Sequence, residues 1–207
     1  MNEYKPPPVI SRYLRCPEDV RIARWWLEQQ SEPVKALYIG PAYGEDFYSF
    51  LTIGFGLKNT IEWHAVELNR EAFDSLDDPV IKFLGVQLFL ADFEAHVCAT
   101  PHRQYDLIIA NYCWHAAWDG SKRRRLKALL DCNPGLLICR DAITQHYQTA
   151  DKLEYHALVT AAGYRALRHV DQVDFKLDAC KRRDTGYILM RTGAELPDDI
   201  YIELAPT

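Results

Sequence analysis

Apolar residues run along this chain in two alternating rhythms. Short, nearly unbroken runs come first: Val34–Ile39, Ile61–Val66, Val86–Ala91, Tyr105–Ala110 and Leu136–Cys139. They are rich in β-branched, aromatic and other strand-favouring residues and are bounded by turn residues, which predicts strands. Between them apolar positions recur at three- and four-residue spacing, which predicts helices over Phe47–Ile53, Asn69–Leu76, Ser121–Leu130 and Gln145–Ala162. A further helix opens at Pro17-Glu18-Asp19 and runs to about Gln30, with proline in its first turn and acids at the positive end of its dipole. Its inner side is marked by Val20, Ala23, Arg24, Trp26 and Leu27, with Trp25 off that stripe. Asn69 and Ser121 are candidate caps, Asp77-Asp78-Pro79 ends one helix, and Gly163 stops the last. Phe93–Cys98 is a candidate short helix. Strands that alternate with helices pair in parallel through crossover connections. Two more strands, Tyr164–Val170 and Gly186–Thr192, are joined by the charged stretch Asp171–Thr185, which suits a hairpin and makes that pair antiparallel.

The turns at the carboxyl ends of these strands carry the chemistry. The first strand runs into Gly40-Pro41-Ala42-Tyr43-Gly44, a small-residue turn directly before a helix. Strand, turn and helix together let a backbone approach a nucleotide closely and offer the helix's first N–H groups to polar ligand atoms. The second strand ends on Glu67, roughly 20 residues after that turn, where an acid accepts hydrogen bonds from ribose hydroxyls. The third ends on Asp92-Phe93 and the fourth on Asn111-Tyr112. In an open α/β sheet this carboxyl edge is where ligands bind. A dinucleotide fingerprint starting at Gly40 would need glycines where Ala42 and Glu45 stand, and Glu45 would repel a pyrophosphate.

From about Val34 to Arg191 the sequence resembles the class I S-adenosylmethionine-dependent methyltransferases. The resemblance rests on Leu37-Tyr38-Ile39-Gly40-Pro41-Ala42-Tyr43-Gly44, on Glu67, on Asp92-Phe93 and on Asn111, in that order. It implies an α/β three-layer sandwich around a mostly parallel seven-stranded sheet with an antiparallel end strand. It also implies S-adenosylmethionine as cofactor and S-adenosylhomocysteine as product. The cofactor-binding positions it carries over are Tyr38, Gly40, Ala42, Gly44, Glu67, Asp92, Phe93 and Asn111. Glu67 would take the ribose diol, Asp92 and Phe93 the adenine edge, and Asn111 the methionine part. The chain departs from the family pattern at Tyr38, where the family has an acid that helps hold the methionine amino group; Glu45 and Asp46 are the nearby acids that could compensate. Ala42 replaces the middle glycine of the motif.

Methyl transfer needs an aligned acceptor and, for many acceptors, a base. The richest stretch for both is Asn111-Tyr112-Cys113-Trp114-His115-Ala116-Ala117-Trp118-Asp119, directly after the fourth strand. His115 and Tyr112 are the candidate catalytic residues. Trp114 and Trp118 are the candidate substrate-binding residues, able to pack around an aromatic or cationic group. The competing reading is that these aromatics fill the core beneath a loop and that His115 is held by ordinary hydrogen bonds. The same stretch is only faintly similar to the Asn-Pro-Pro-Tyr motif of amine-methylating enzymes, since both prolines are absent. His96, His102 and His115 show no metal-ligand spacing on one helix.

Composition narrows the picture further. The 207 residues suit one main domain, residues 34–192, preceded by an extension over 1–33 expected to cap the site and followed by a tail over 193–207. A hydrophobic fraction of 48% and a charged fraction of 26% are those of a soluble globule. There is no apolar run of about 18 residues and no signal-peptide core at the start, and the six cysteines form no CxxC pair. A reduced, cytoplasmic setting is the expectation. The net charge of −5 argues against a broad nucleic-acid surface. The expected partner is a small-molecule substrate. A rival reading, methylation of RNA or protein, rests on the basic runs Lys122–Arg125 and Lys181–Arg183; the first is otherwise read as a solvated helix face. A rival of another class, a non-catalytic module that keeps the fold, rests on Tyr38.

Overall fold

The computed structural model describes residues 17–99, 105–111, 120–143, 149–169, 175–177, 180–191 and 203–204. In chain order these form α1 (Pro17–Glu28), β1 (Val34–Ile39), α2 (Glu45–Thr52), β2 (Ile61–Glu67), α3 (Arg70–Ser75), α4 (Pro79–Phe83), β3 (Gln87–Leu90), α5 (Phe93–Cys98), β4 (Leu107–Asn111), α6 (Gly120–Asp131), β5 (Leu136–Ile143), α7 (Thr149–Ala161), β6 (Tyr164–His169), β7 (Phe175–Leu177), β8 (Cys180–Arg191) and β9 (Glu203–Leu204).

Seven of the strands make one sheet in the order β3-β2-β1-β4-β5-β8-β6. The pairs β3–β2, β2–β1, β1–β4 and β4–β5 are parallel. β8 is antiparallel to both β5 and β6, so β6 runs with the parallel set. The predicted architecture, a mostly parallel seven-stranded sheet with an antiparallel strand at the chain's end, is the one the molecule has. In space that last long strand enters between β5 and β6. Two short additions lie outside the predicted scheme: β7 pairs with the start of β8, and β9 pairs antiparallel with β6.

The near-continuous apolar strands are explained by burial on both faces. Along β1, Ala36 and Tyr38 join one core cluster while Leu37 and Ile39 join the other. β4 divides likewise, with Leu107 and Ile109 on the first side and Ile108 and Ala110 on the second. The first cluster holds residues of α1 and α2 with Leu76 and Ile81. The second holds Phe93 and Val97 of α5, Leu126, Leu129 and Leu130 of α6 and Val159 of α7. Helix, sheet and helix form the three layers.

Asp106 ties the amino ends of three strands together. Its Oδ2 accepts the Lys35 N–H at 2.8 Å, its own N–H donates to the Lys35 carbonyl, and its carbonyl accepts from Gly135 and Leu136. α1 packs near this edge. A side chain at Gly135 would meet the Trp26 ring at 2.6 Å, so glycine there makes room for the indole. Ile22, Ala23, Trp26 and Leu27 are the buried side of α1. Arg24 is not on that side: it is exposed and pairs with Glu28 one turn on, at 2.9 Å. α1 is thus a core element at the amino edge of the sheet. It is the described part of the segment expected to cap the site; residues 1–16 lie outside the described residues.

A buried polar cluster lies between β2 and α5. The Tyr105 hydroxyl is 3.0 Å from His64 Nδ1 and 3.0 Å from His96 Nε2. His64 Nε2 meets the Glu62 carboxylate at 2.7 Å. That contact, with Lys35 nearby, holds the Glu62 carboxyl below its ordinary range.

Candidate functional site

The sequence around β1 builds a tight ledge. After Ile39 the backbone turns through Gly40 at φ 67° and Ala42 at φ 49° to Gly44 at φ 91°. Positive φ is easy for glycine and strained for alanine. Ala42 holds that conformation with help from β2, because its N–H donates to Glu67 Oε2 at 2.9 Å. The other carboxylate oxygen of Glu67 accepts the Asn69 N–H at 2.8 Å, and Asn69 in turn caps α3 by accepting from Ala72. Glu67 is only 8% exposed. A buried carboxylate bonded to two backbone donors is fixed in place, with acceptor positions to spare.

Gly44 carries a packing constraint of its own. A Cβ there would meet the Tyr48 ring at 2.7 Å and Leu76 at 3.2 Å. Its glycine is required by a left-handed φ and by the packing of α2. The Tyr48 phenol is pushed above its ordinary value by burial and by the Asp78 carboxylate beside it.

Tyr38, at the family's acid position, is 1% exposed, and its ring packs against Phe47 at 4.8 Å and Phe50 at 5.6 Å. The period-2 alternation of β1 puts it on the α2 face of the sheet, while Ile39 lies on the other face, toward the cleft.

β3 delivers the next wall. Asp92 is the cap of α5, its Oδ1 accepting from Glu94 at 3.0 Å and Ala95 at 3.3 Å. Phe93 is buried directly after it. A cleft of about 250 Å³ opens between these pieces, lined by Ile39, Gly40, Ala42, Val66, Glu67, Leu68, Ala91, Asp92, Phe93 and Arg125. It thus gathers five of the residues the motifs pointed to at β2 and β3 and in the first turn: Gly40, Ala42, Glu67, Asp92 and Phe93. Tyr38 and Gly44 are not among its lining residues. Asn111 ends β4, in register with Arg140 of β5. Tyr112, Trp114, His115 and Trp118 lie outside the described residues.

Arg125 is the lining residue that the motifs did not point to. It belongs to the basic run read as a solvated face, and the fold divides that run. Arg123 pairs with Glu154 of α7 at 2.7 Å, Arg124 pairs with Glu94, and Arg125 reaches Asp92 at 3.1 Å. The one available signal was spacing: Arg125 stands four residues before Leu129, on the inward stripe of α6.

No family model matches the sequence, and no curated protein matches it either. Solved structures do match in shape. The CurJ carbon methyltransferase superposes with a TM-score of 0.59 at 13% identity, covering 80% of this chain and 50% of that one. The magnesium protoporphyrin IX methyltransferase of Synechocystis PCC 6803, solved with bound SAM, gives 0.56 at 11% identity, covering 87% and 84%. The chain has the class I methyltransferase fold. It spans about half the length of the carbon methyltransferase. The [4+2]-cyclase SpnF is similar to the same degree, with a TM-score of 0.57 at 11% identity over 83% and 81% of the two chains. The shared shape therefore fixes the architecture of the cleft but not the reaction run in it.

Within the class I methyltransferase fold, the described cleft lies at the carboxyl ends of β1, β2 and β3, next to where β4 continues the sheet on the other side of β1. This is the topological switch point, where consecutive crossovers leave in opposite directions and open a crevice. Among the described residues no group of three or more His, Cys, Asp or Glu is placed to hold a metal ion. Among them, too, no helix is long and apolar enough to cross a membrane.

Proposed function

We propose that this protein binds S-adenosylmethionine in the cleft at the carboxyl edge of β1–β3 and transfers its methyl group to a small-molecule acceptor, in a cytoplasmic setting. The observation that carries this reading is the Glu67 carboxylate, buried at the tip of β2 and facing a cleft shared with Gly40, Asp92 and Phe93. The cleft fits such a molecule in its chemistry. It has acceptors for hydroxyl and amino donors in Glu67 and Asp92, apolar walls in Ile39, Val66, Leu68 and Phe93, and no phosphate-binding glycine fingerprint.

The cofactor, when bound, supplies a methyl group activated on a sulfonium. The chain's own residues bind and orient. Glu67 accepts from the ribose diol, Asp92 and Phe93 hold the adenine edge, Gly40 and Ala42 let the backbone close on the ligand, and Asn111 is assigned to the methionine part. Tyr38 takes a supporting place: its ring backs the turn from the core side, and the contact made elsewhere by the family's acid falls to other groups. His115 is the proposed base, Tyr112 its neighbour, and Trp114 and Trp118 the walls of an aromatic or amine-bearing acceptor's pocket. Methylation of a macromolecule is the less favoured reading, because Arg123, Arg124 and Arg125 spend their charge on acids of this chain.

A second reading is favoured by one observation. Tyr38 puts a buried aromatic ring where the family keeps a carboxylate, as a protein that uses this fold for something other than methyl transfer would tolerate. Calorimetric titration with S-adenosylmethionine and S-adenosylhomocysteine separates the readings. Binding that is lost in Glu67→Ala supports the first. Absence of binding by the wild-type protein would remove it.

A further inference from the structure

Arg125 is surrounded in a way that gives it a task. Its Nη2 donates to Asp92 Oδ2 at 3.1 Å, its Nε lies 3.9 Å from Glu94 Oε2, and its guanidinium carbon sits 5.4 Å from the centre of the Phe93 ring. The side chain keeps 31% of its surface open and lines the cleft. It is the only cation among the cleft's described lining residues.

The consequence falls on Asp92. Each carboxylate oxygen offers two lone pairs. Oδ1 spends both on the Glu94 and Ala95 N–H groups. Oδ2 spends one on Arg125. One acceptor position remains, and the single charge-assisted bond from Arg125 holds the carboxylate that carries it. A purine with a 6-amino group presents a donor at that edge, whereas a 6-oxo purine presents an acceptor. A carboxylate has only acceptors to offer, so placed opposite the 6-substituent it accepts from the amino group and repels the oxo group.

We propose that Arg125 is a positioning residue for the base of the nucleoside ligand: it holds Asp92 so that one carboxylate lone pair faces the cleft and selects adenine over 6-oxo purines. The inference rests on the S-adenosylmethionine reading and deepens it. Phe93 belongs to the same device, since the guanidinium lies over its ring.

The test compares S-adenosylhomocysteine with S-inosylhomocysteine, which differ in the 6-substituent and in the proton that the 6-oxo base carries on N1, by calorimetry on the full chain. The wild-type protein is expected to prefer the amino compound by about tenfold or more. Arg125→Met keeps a stem over Phe93 and removes the guanidinium; its preference is expected to fall to about threefold or less, as is that of Arg125→Lys, which keeps the charge without the guanidinium. The melting temperature of the ligand-free variants is followed in parallel. A variant that melts lower yet keeps the wild-type preference would show Arg125 to be a mere strut between α5 and α6, and the proposal would fall. If Arg125→Met does not fold, Arg125→Lys decides on the same criterion. A wild-type protein that binds both compounds equally overturns this inference alone. One that binds neither removes the S-adenosylmethionine reading and this inference with it.

Discussion

The Glu67 carboxylate, at the tip of β2, accepts the backbone N–H of Ala42 at 2.9 Å and so pins the turn that follows β1. The same group is the proposed ribose acceptor. Ligand binding and local stability are therefore linked through one side chain. Read from the sequence, Glu67→Ala should weaken the cofactor's hold at unchanged stability. The structure changes the second half of that expectation. Removing the carboxylate leaves two part-buried backbone donors, Ala42 and Asn69, without their acceptor, and a hydrogen bond to a carboxylate typically contributes about 1.5–3 kcal/mol. Glu67→Ala is expected to lose about tenfold or more in S-adenosylhomocysteine affinity and also to unfold at a lower urea concentration. Glu67→Gln keeps one acceptor oxygen for one of the two N–H groups and turns an amide donor toward the other, so it should recover only part of the stability and little of the affinity.

Gly44→Val is expected to destabilise the fold by about 1–3 kcal/mol, from strain at positive φ together with a forced shift of Tyr48. Adding Tyr48→Ala should relieve the collision but not the backbone strain, leaving the double variant less stable than Tyr48→Ala alone. Denaturant midpoints of the three proteins check this. A Gly44→Val protein as stable as wild type would mean the turn is free to rearrange.

Tyr105→Phe removes the hydroxyl shared by His64 and His96 in the buried cluster. A lost buried hydrogen-bond partner costs about 1–3 kcal/mol. Urea unfolding should show a loss in that range with little change in ligand affinity, because the cluster lies outside the cleft lining.

The thiols of Cys98 and Cys132 should differ in reactivity. Cys98 is exposed, while burial, with Cys98 and Asp131 nearby, pushes the Cys132 thiol up to about 11. The thiolate is the nucleophile, so iodoacetamide at pH 8 should label Cys98 well before Cys132, as mapped by peptide mass spectrometry. The linkage sign follows from the raised value. The folded chain holds the Cys132 proton more tightly than the unfolded chain, so this group's contribution is complete below about pH 9 and is lost as pH rises toward 11. Cys132→Ser should flatten the decline of stability over that window.

Much of this protein was legible before folding, because it depends on short-range rules. Apolar runs such as Val34–Ile39 and Leu136–Cys139 announced strands buried on both faces, and the alternation with helical periods announced parallel pairing. Asn69 declared itself as a helix cap, Asp92 through its place at the end of the third strand, and Glu67 through its distance from the glycine turn. These signals are carried within a few residues or within one strand–helix–strand unit. Only the tertiary structure decided the surroundings of three other residues. Tyr38 entered the core because period-2 alternation gave it the α2 face, where Phe47 and Phe50 offered an aromatic pocket. Gly44 has a packing requirement because Tyr48 and Leu76 close over it. Arg125 left its basic run for the cleft because its partner, Asp92, lies on another helix and strand. No local pattern can set the pairing of charges that far apart along the chain; it arises only when α5 and α6 are laid side by side against the sheet.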